Sequence, residues 1–165
     1  MVTTGGASVG DHDLVQDVLS DFGMNVDFWR IAMRPGKPLM FGEIDQIPVL
    51  GLPGNPVSSL VCAMIFLRPA LSKMQGLRKF EHDIYRMISS SDLPKNDQRQ
   101  DYLRAIIEKD RNKVETIRAF PKQDSSMMAT LTNSDALIIR EPYAPALKAG
   151  ETVNILKMPG GIYSG

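Results

Sequence analysis

Three short stretches carry residues whose types and spacing suit the binding of anions. Arg34-Pro35-Gly36-Lys37-Pro38 presents two cations on one turn, with Trp29-Arg30 just upstream as a third. The prolines restrict the backbone and so lower the entropy lost in presenting both charges together. Two cations held close repel unless an anion sits between them. Each contact with a dianion at about 4 Å, at an effective dielectric of ~20, is worth several kcal/mol before desolvation. A solvated basic turn is the plainer alternative. The second stretch, Pro53-Gly54-Asn55-Pro56, precedes Val57-Ser58-Ser59. Asn55 reads as an N-cap and Pro56 as the first helical residue, and a helix start aims N–H groups and positive dipole at an anion. An ordinary strand-to-helix corner, with Asn55 satisfying its own helix, fits the residues as well. The third is Gly5-Gly6-Ala7-Ser8-Val9-Gly10, a loop whose glycines let a phosphate approach the backbone closely. Asp11-His12-Asp13 follows it. Those carboxylates suit a hard cation such as Mg²⁺, or serve as charges at a helix N-terminus, the commoner role.

Other chemistries find less support. The two histidines, His12 and His82, lie far apart in sequence, and no Ser-His-Asp spacing emerges. The single cysteine, Cys62, excludes an internal disulfide and a multi-cysteine metal site, and its apolar neighbours make it a reduced core residue. The ten methionines are scattered and read as core filler. With 19 basic and 19 acidic residues the net charge is +0, so no general attraction to nucleic acid or membrane is expected. No signal peptide and no apolar run long enough for a bilayer stand out, and the reading is a soluble, cytoplasmic chain.

Elements must position these residues. Ile47–Leu52 is short, apolar and bounded by breakers, as a buried strand should be. A helix from Asn55 runs to about Leu67, is disturbed at Arg68-Pro69, and ends at Gly76. Leu14, Val15, Val18, Leu19 and Phe22 share one helical face, with Gly23 as the stop. Val26–Met33 and Leu39–Phe41 read as strands, and 43–46 as a turn. Beyond Gly76 helical periodicity gives way to alternating segments near 83–89, 101–108, 114–119, 136–140 and 153–157. The expected organisation is an α/β domain over 1–77 and a small all-β barrel over 78–165.

Taken in order, Thr4-Gly5-Gly6-Ala7-Ser8-Val9-Gly10-Asp11-His12-Asp13, Trp29-Arg30, Arg34-Pro35-Gly36-Lys37-Pro38 and Leu52-Pro53-Gly54-Asn55-Pro56-Val57-Ser58 resemble the pterin-binding domain of the molybdopterin molybdenumtransferase (MoeA) family, which includes the gephyrin E domain. Arg99-Gln100-Asp101-Tyr102-Leu103-Arg104, Gln123-Asp124-Ser125, Asn133-Ser134-Asp135-Ala136 and Gly150-Glu151-Thr152-Val153 resemble that family's C-terminal barrel. The resemblance implies the C-terminal half of a doubly wound molybdopterin-binding domain followed by a β-barrel. It implies insertion of molybdate into adenylated molybdopterin with Mg²⁺ and release of AMP. Asp13 matches the functional carboxylate and metal position. Arg34 and Lys37 match the basic pair near molybdate, and Arg30 a position usually filled by Lys. Gly5, Gly6, Ser8, Gly10, Gly54, Asn55 and Ser58 match the pterin-phosphate site. Arg104 and Ser125 match barrel residues that approach molybdate from the other side. The full-length family is implied to be a homodimer.

The departures are specific. The family's two N-terminal domains and the first half of its pterin-binding domain have no counterpart here. The acidic residue expected before Thr3-Thr4-Gly5 would lie upstream of Met1. Arg in place of the frequent Lys at positions 30 and 34 keeps the charge but changes donor geometry. The sequence therefore reads as an N-terminally truncated transferase. A non-catalytic pterin-binding or scaffold module is the alternative, and a molybdopterin adenylyltransferase a more distant one.

Overall fold

The computed structural model describes residues 1–5, 14–109, 112–124 and 127–159, with the side chains of 14–17 excepted. It divides into two compact units, Met1–Glu81 and His82–Gly165.

The first unit contains β1 (Val2–Thr4), α1 (Leu14–Asp21), β2 (Asn25–Trp29), β3 (Met33–Arg34), β4 (Met40–Ile44), β5 (Ile47–Leu52), α2 (Pro56–Cys62) and α3 (Arg68–Met74). Four strands form a sheet in the order β1-β5-β4-β2. β1 runs parallel to β5, whereas β4 is antiparallel to both β5 and β2. The sheet is thus mixed, because Asp45 and Gln46, at φ 47° and 65°, form a tight hairpin between β4 and β5. The turn is narrower than the expected 43–46: Glu43 and Ile44 are still paired in β4.

α1 stops where Gly23 turns left-handed. Gly23 N–H donates to Ser20 O at 2.9 Å and Met24 N–H to Leu19 O at 3.0 Å, a complete Schellman closure at a φ of 79° that glycine tolerates best. Leu19 and Met24 then pack with Met40, Val49 and Ile44 over one face of the sheet. Strand alternation sends Leu50, Phe41 and Phe28 to the opposite face, where Phe66, Leu67 and Ala70 face them across an open apolar groove.

α2 and α3 are joined through a wide π turn, Ala63–Leu67, in which Arg68 N–H donates to the carbonyl of Ala63. Pro69 follows at once. Its ring would clash with a carbonyl one regular turn earlier, and a widened turn is a standard way of accommodating it. Helix thus persists from Pro56 to Met74, 19 residues of mean hydropathy 1.4, long and apolar enough by length and composition to cross a membrane. This corrects the expectation that no run reaches that length. Val57, Val61, Cys62 and Met64 of this helix are nonetheless buried within the unit.

The second unit comprises β6 (Ile84–Ser89), β7 (Gln100–Lys109), β8 (Glu115–Ala119), α4 (Met128–Thr132), β9 (Ala136–Arg140) and β10 (Thr152–Lys157). Its strands follow the order β7-β8-β6-β10-β9, and β9 pairs with β7 to close a five-stranded barrel. β7 makes the closure possible by its length. Residues Asp101–Ala105 pair with β9, and Ala105–Lys109 pair with β8. Ala105, Ile107, Ile117, Ala136, Ile138, Val153, Ile155 and Leu93 fill the interior.

Candidate functional site

β1 and β5, being parallel, end side by side, and their two following loops meet. Gly5 N–H donates to Leu52 O at 3.2 Å, and a Cβ added to Gly54 would stand only 3.3 Å from Gly5 Cα. The structure therefore brings the start of the Gly-rich loop against the Pro53-Gly54-Asn55-Pro56 corner, outside the carboxyl ends of two neighbouring parallel strands. Open α/β sheets bind ligands in such places. Asn55 is extended at φ −70°, ψ 125°, and its Oδ1 accepts from Ser58 N–H at 3.1 Å. Ser59 N–H donates to Asn55 O at 2.8 Å. Asn55 thus caps its own helix, as the plainer sequence reading has it. Ser58, in the first turn of α2, is buried.

The basic stretch forms a closed loop. Arg30 N–H donates to Leu39 O and Ile31 N–H to Lys37 O, both at 3.0 Å, and Leu39 N–H to Gly36 O at 3.2 Å. Its floor rests on α2: a Cβ on Gly36, at φ 121°, would lie 2.5 Å from Cys62 Sγ. Arg30, Arg34 and Lys37 stay exposed around this buried floor. Arg30 sits 5.9 Å from the Trp29 ring centroid, a cation–π distance. Cys62 lies seven residues beyond Asn55, about 10 Å along the helix axis. The loop is therefore seated about two turns into the helix that Asn55 caps, away from its start. Burial pushes the Cys62 thiol up to about 12, which removes it as a nucleophile at neutral pH.

Gly6, Ser8, Gly10, Asp11, His12, Asp13 and Ser125 lie outside the described residues. Among the described residues no group of three or more His, Cys, Asp or Glu side chains could hold a metal ion.

In the barrel, Arg104 is almost wholly buried, at 1% exposure. Its Nε donates to Gln123 Oε1 at 3.2 Å and its Nη1 to Asp124 O at 2.9 Å. Gln123 also accepts from Arg104 N–H at 3.0 Å and donates back to Arg104 O at 3.0 Å. Burial lowers the guanidinium pKa, partly offset by the Asp124 charge. The Gln123-Asp124 motif thus holds Arg104 in place, a positioning role that the sequence reading did not assign. It also passed over Arg140, a buried guanidinium that donates to Pro94 O at 3.1 Å and to Pro145 O, and so ties two loops to β9.

Comparison with known proteins is consistent along the chain. Residues 1–73 match the model of the "Probable molybdopterin binding domain", and residues 86–158 that of the "MoeA C-terminal region (domain IV)". A molybdopterin molybdenumtransferase from Haemophilus influenzae is 33% identical over 94% of this chain and 38% of its own length. One from Nostoc is 29% identical over 96% of this chain and 37% of its own length. The chain therefore spans less than two-fifths of these relatives. In fold it is similar to a MoeA protein from Pyrococcus horikosii, with a TM-score of 0.75 at 24% identity, over 96% of this chain and 37% of that one. The α/β unit, the barrel and their order along the chain all agree with these matches, and the chain belongs to the molybdopterin molybdenumtransferase family as a C-terminal portion.

Proposed function

We propose that this chain serves molybdenum cofactor biosynthesis as part of an enzyme that inserts molybdate into adenylated molybdopterin and releases AMP. The observation that carries the reading is the meeting of Gly5 with Gly54 at the ends of two parallel strands. Bare backbone there gives a phosphorylated ligand close access, and β5 leads directly into the capped helix. The exposed Arg34 and Lys37 would hold an oxyanion, with Arg30 as a further cation. Arg104, its guanidinium held by Gln123 and Asp124, would act indirectly, by fixing the stretch that leads to Ser125. Asp13 would take Mg²⁺. Homodimerisation, a cytoplasmic location, and independence from nucleic acid and membrane belong to the same reading.

The test is molybdate insertion and AMP release by the chain alone, and again with the upstream region of a relative supplied. Turnover in either case supports the reading. Pterin binding without AMP release in both cases favours the second reading, a non-catalytic binding module.

A further inference from the structure

We propose that Cys62 is a positioning residue: its volume sets how far the Pro35-Gly36 turn sinks onto α2, and thereby where Arg34 and Lys37 meet an oxyanion. This rests on the oxyanion reading of that loop. Pro35 and Gly36 are buried, whereas Arg34 and Lys37 on either side are exposed. The turn is thus pressed into the unit at its middle and carries its two cations at the rim. Cys62 and Met33, 0% and 4% exposed, form the seat.

The fit leaves no slack. A Cβ on Gly36 would stand 2.4 Å from Met33 Cε and 2.5 Å from Cys62 Sγ, far inside the ~3.5–4.0 Å of ordinary contact. Met33 ends in a flexible thioether that can yield. Cys62 has a single side-chain torsion, on a helix packed into the unit, and cannot. The Gly36 carbonyl accepts from Leu39 N–H at 3.2 Å and, in a long and weak bond, from the Cys62 thiol at 3.9 Å. Lys37 O accepts in turn from Ile31 N–H at 3.0 Å. A shift of Gly36 therefore reaches Lys37 through one peptide unit and Arg34 through the rigid ring of Pro35. Volume, and not thiol reactivity, is what position 62 supplies.

The experiment titrates molybdate calorimetrically into the full chain and into its Cys62→Ser, Cys62→Val, Cys62→Ala and Lys37→Ala variants, with amide hydrogen exchange followed alongside. Serine nearly matches cysteine in size and donates more strongly to Gly36 O, so its affinity should stay within about twofold of the parent's. Valine adds a branch beneath the turn and should weaken binding at least about fivefold, since displacements of ~1 Å cost up to ~100-fold where geometry is preorganised. It should also speed exchange at Leu39, whose acceptor is Gly36 O, and leave unchanged the Ser59 amide inside α2. Alanine crowds nothing, so it decides the matter if the valine variant fails to fold. It removes the support, and should speed Leu39 exchange and weaken binding in the same direction. The inference is overturned if the valine and alanine variants bind like the parent while Lys37→Ala weakens binding, or if serine loses as much as valine. Equal acceleration at Leu39 and Ser59 would mean general loosening and overturn it too. Unchanged binding in Lys37→Ala would instead sink the oxyanion reading, and this inference with it.

Discussion

Both units bury several apolar side chains completely, but among the described residues the α/β unit leaves more of its large apolar side chains exposed. In the barrel, Ala105, Ile117, Ala136, Ile138 and Ile155 are fully buried, and β7 pairs along its whole length with two neighbours. In the α/β unit the sheet ends, among the described residues, at β1 and β2, while Phe22 and Met74 remain 72% and 70% exposed. Burying one such side chain is worth about 1.5–3 kcal/mol. Closure of the strand order, more than the number of apolar residues, thus separates the two.

The largest expected effect tests how the barrel keeps a cation inside. Arg104→Ala should lower barrel stability by about 3–4 kcal/mol, through a cavity and the loss of partners for Gln123 and Asp124. Arg104→Met, which retains most of the volume, should cost less than half as much in urea unfolding. Equal costs would mean that packing contributes little and the hydrogen bonds dominate.

The contrast itself has built-in reporters. The single tryptophan, Trp29, and the single thiol, Cys62, lie in the α/β unit, and all four tyrosines lie beyond residue 81. Trp29 fluorescence and Cys62 alkylation should show a urea midpoint about 1 M below that of tyrosine fluorescence, equivalent to roughly 1–2 kcal/mol at typical urea slopes. Coincident midpoints would abolish the distinction and make the chain a single cooperative structure.

The smallest effect is acidic. A hydrogen bond from Lys148 holds Asp92 below its ordinary 3.8, and one from Arg118 holds Glu108 below 4.5. Carboxylates with lowered folded pKa values favour the folded state above their unfolded pKa and lose that contribution as pH falls through the folded value. The barrel's tyrosine-detected Tm should therefore decline as pH drops from about 4.5 toward 3. The decline should be modest and weakened by salt, because both pairs are solvent-exposed. A Tm that stays flat over that range would show that these pairs contribute nothing.

The legibility of the sequence followed the strength of local signals. β5 was placed residue for residue, and the barrel strands within about one residue, because alternation and flanking breakers mark them. The Asn55 cap was equally visible from Asn-Pro. The five-residue α4 has too few residues to show a period. Asp45-Gln46 lacks the glycine that announces a tight hairpin, so the mixed sheet stayed hidden. Arg104 enters the sequence reading only through the family resemblance, and its burial depends on the long-range partner Gln123. The meeting of Gly5 with Gly54 depends on β1 pairing with β5 across nearly fifty residues, which no local pattern encodes.

The wide turn before Pro69 also sets helical phase. An α-helix advances about 100° per residue, so one extra residue rotates everything after it by that amount. Continued as a regular helix, residues Ala70, Leu71 and Met74 would point about 100° away from where they stand. The i→i+5 bond from Arg68 to Ala63 absorbs about one residue and leaves them lining the groove. Deleting one residue between Ala63 and Leu67 would keep this orientation in a regular helix, whereas regularising the turn without a deletion would swing the groove's helical wall away. The π turn is in this sense a one-residue phase correction that lets a single helix serve two different parts of the sheet.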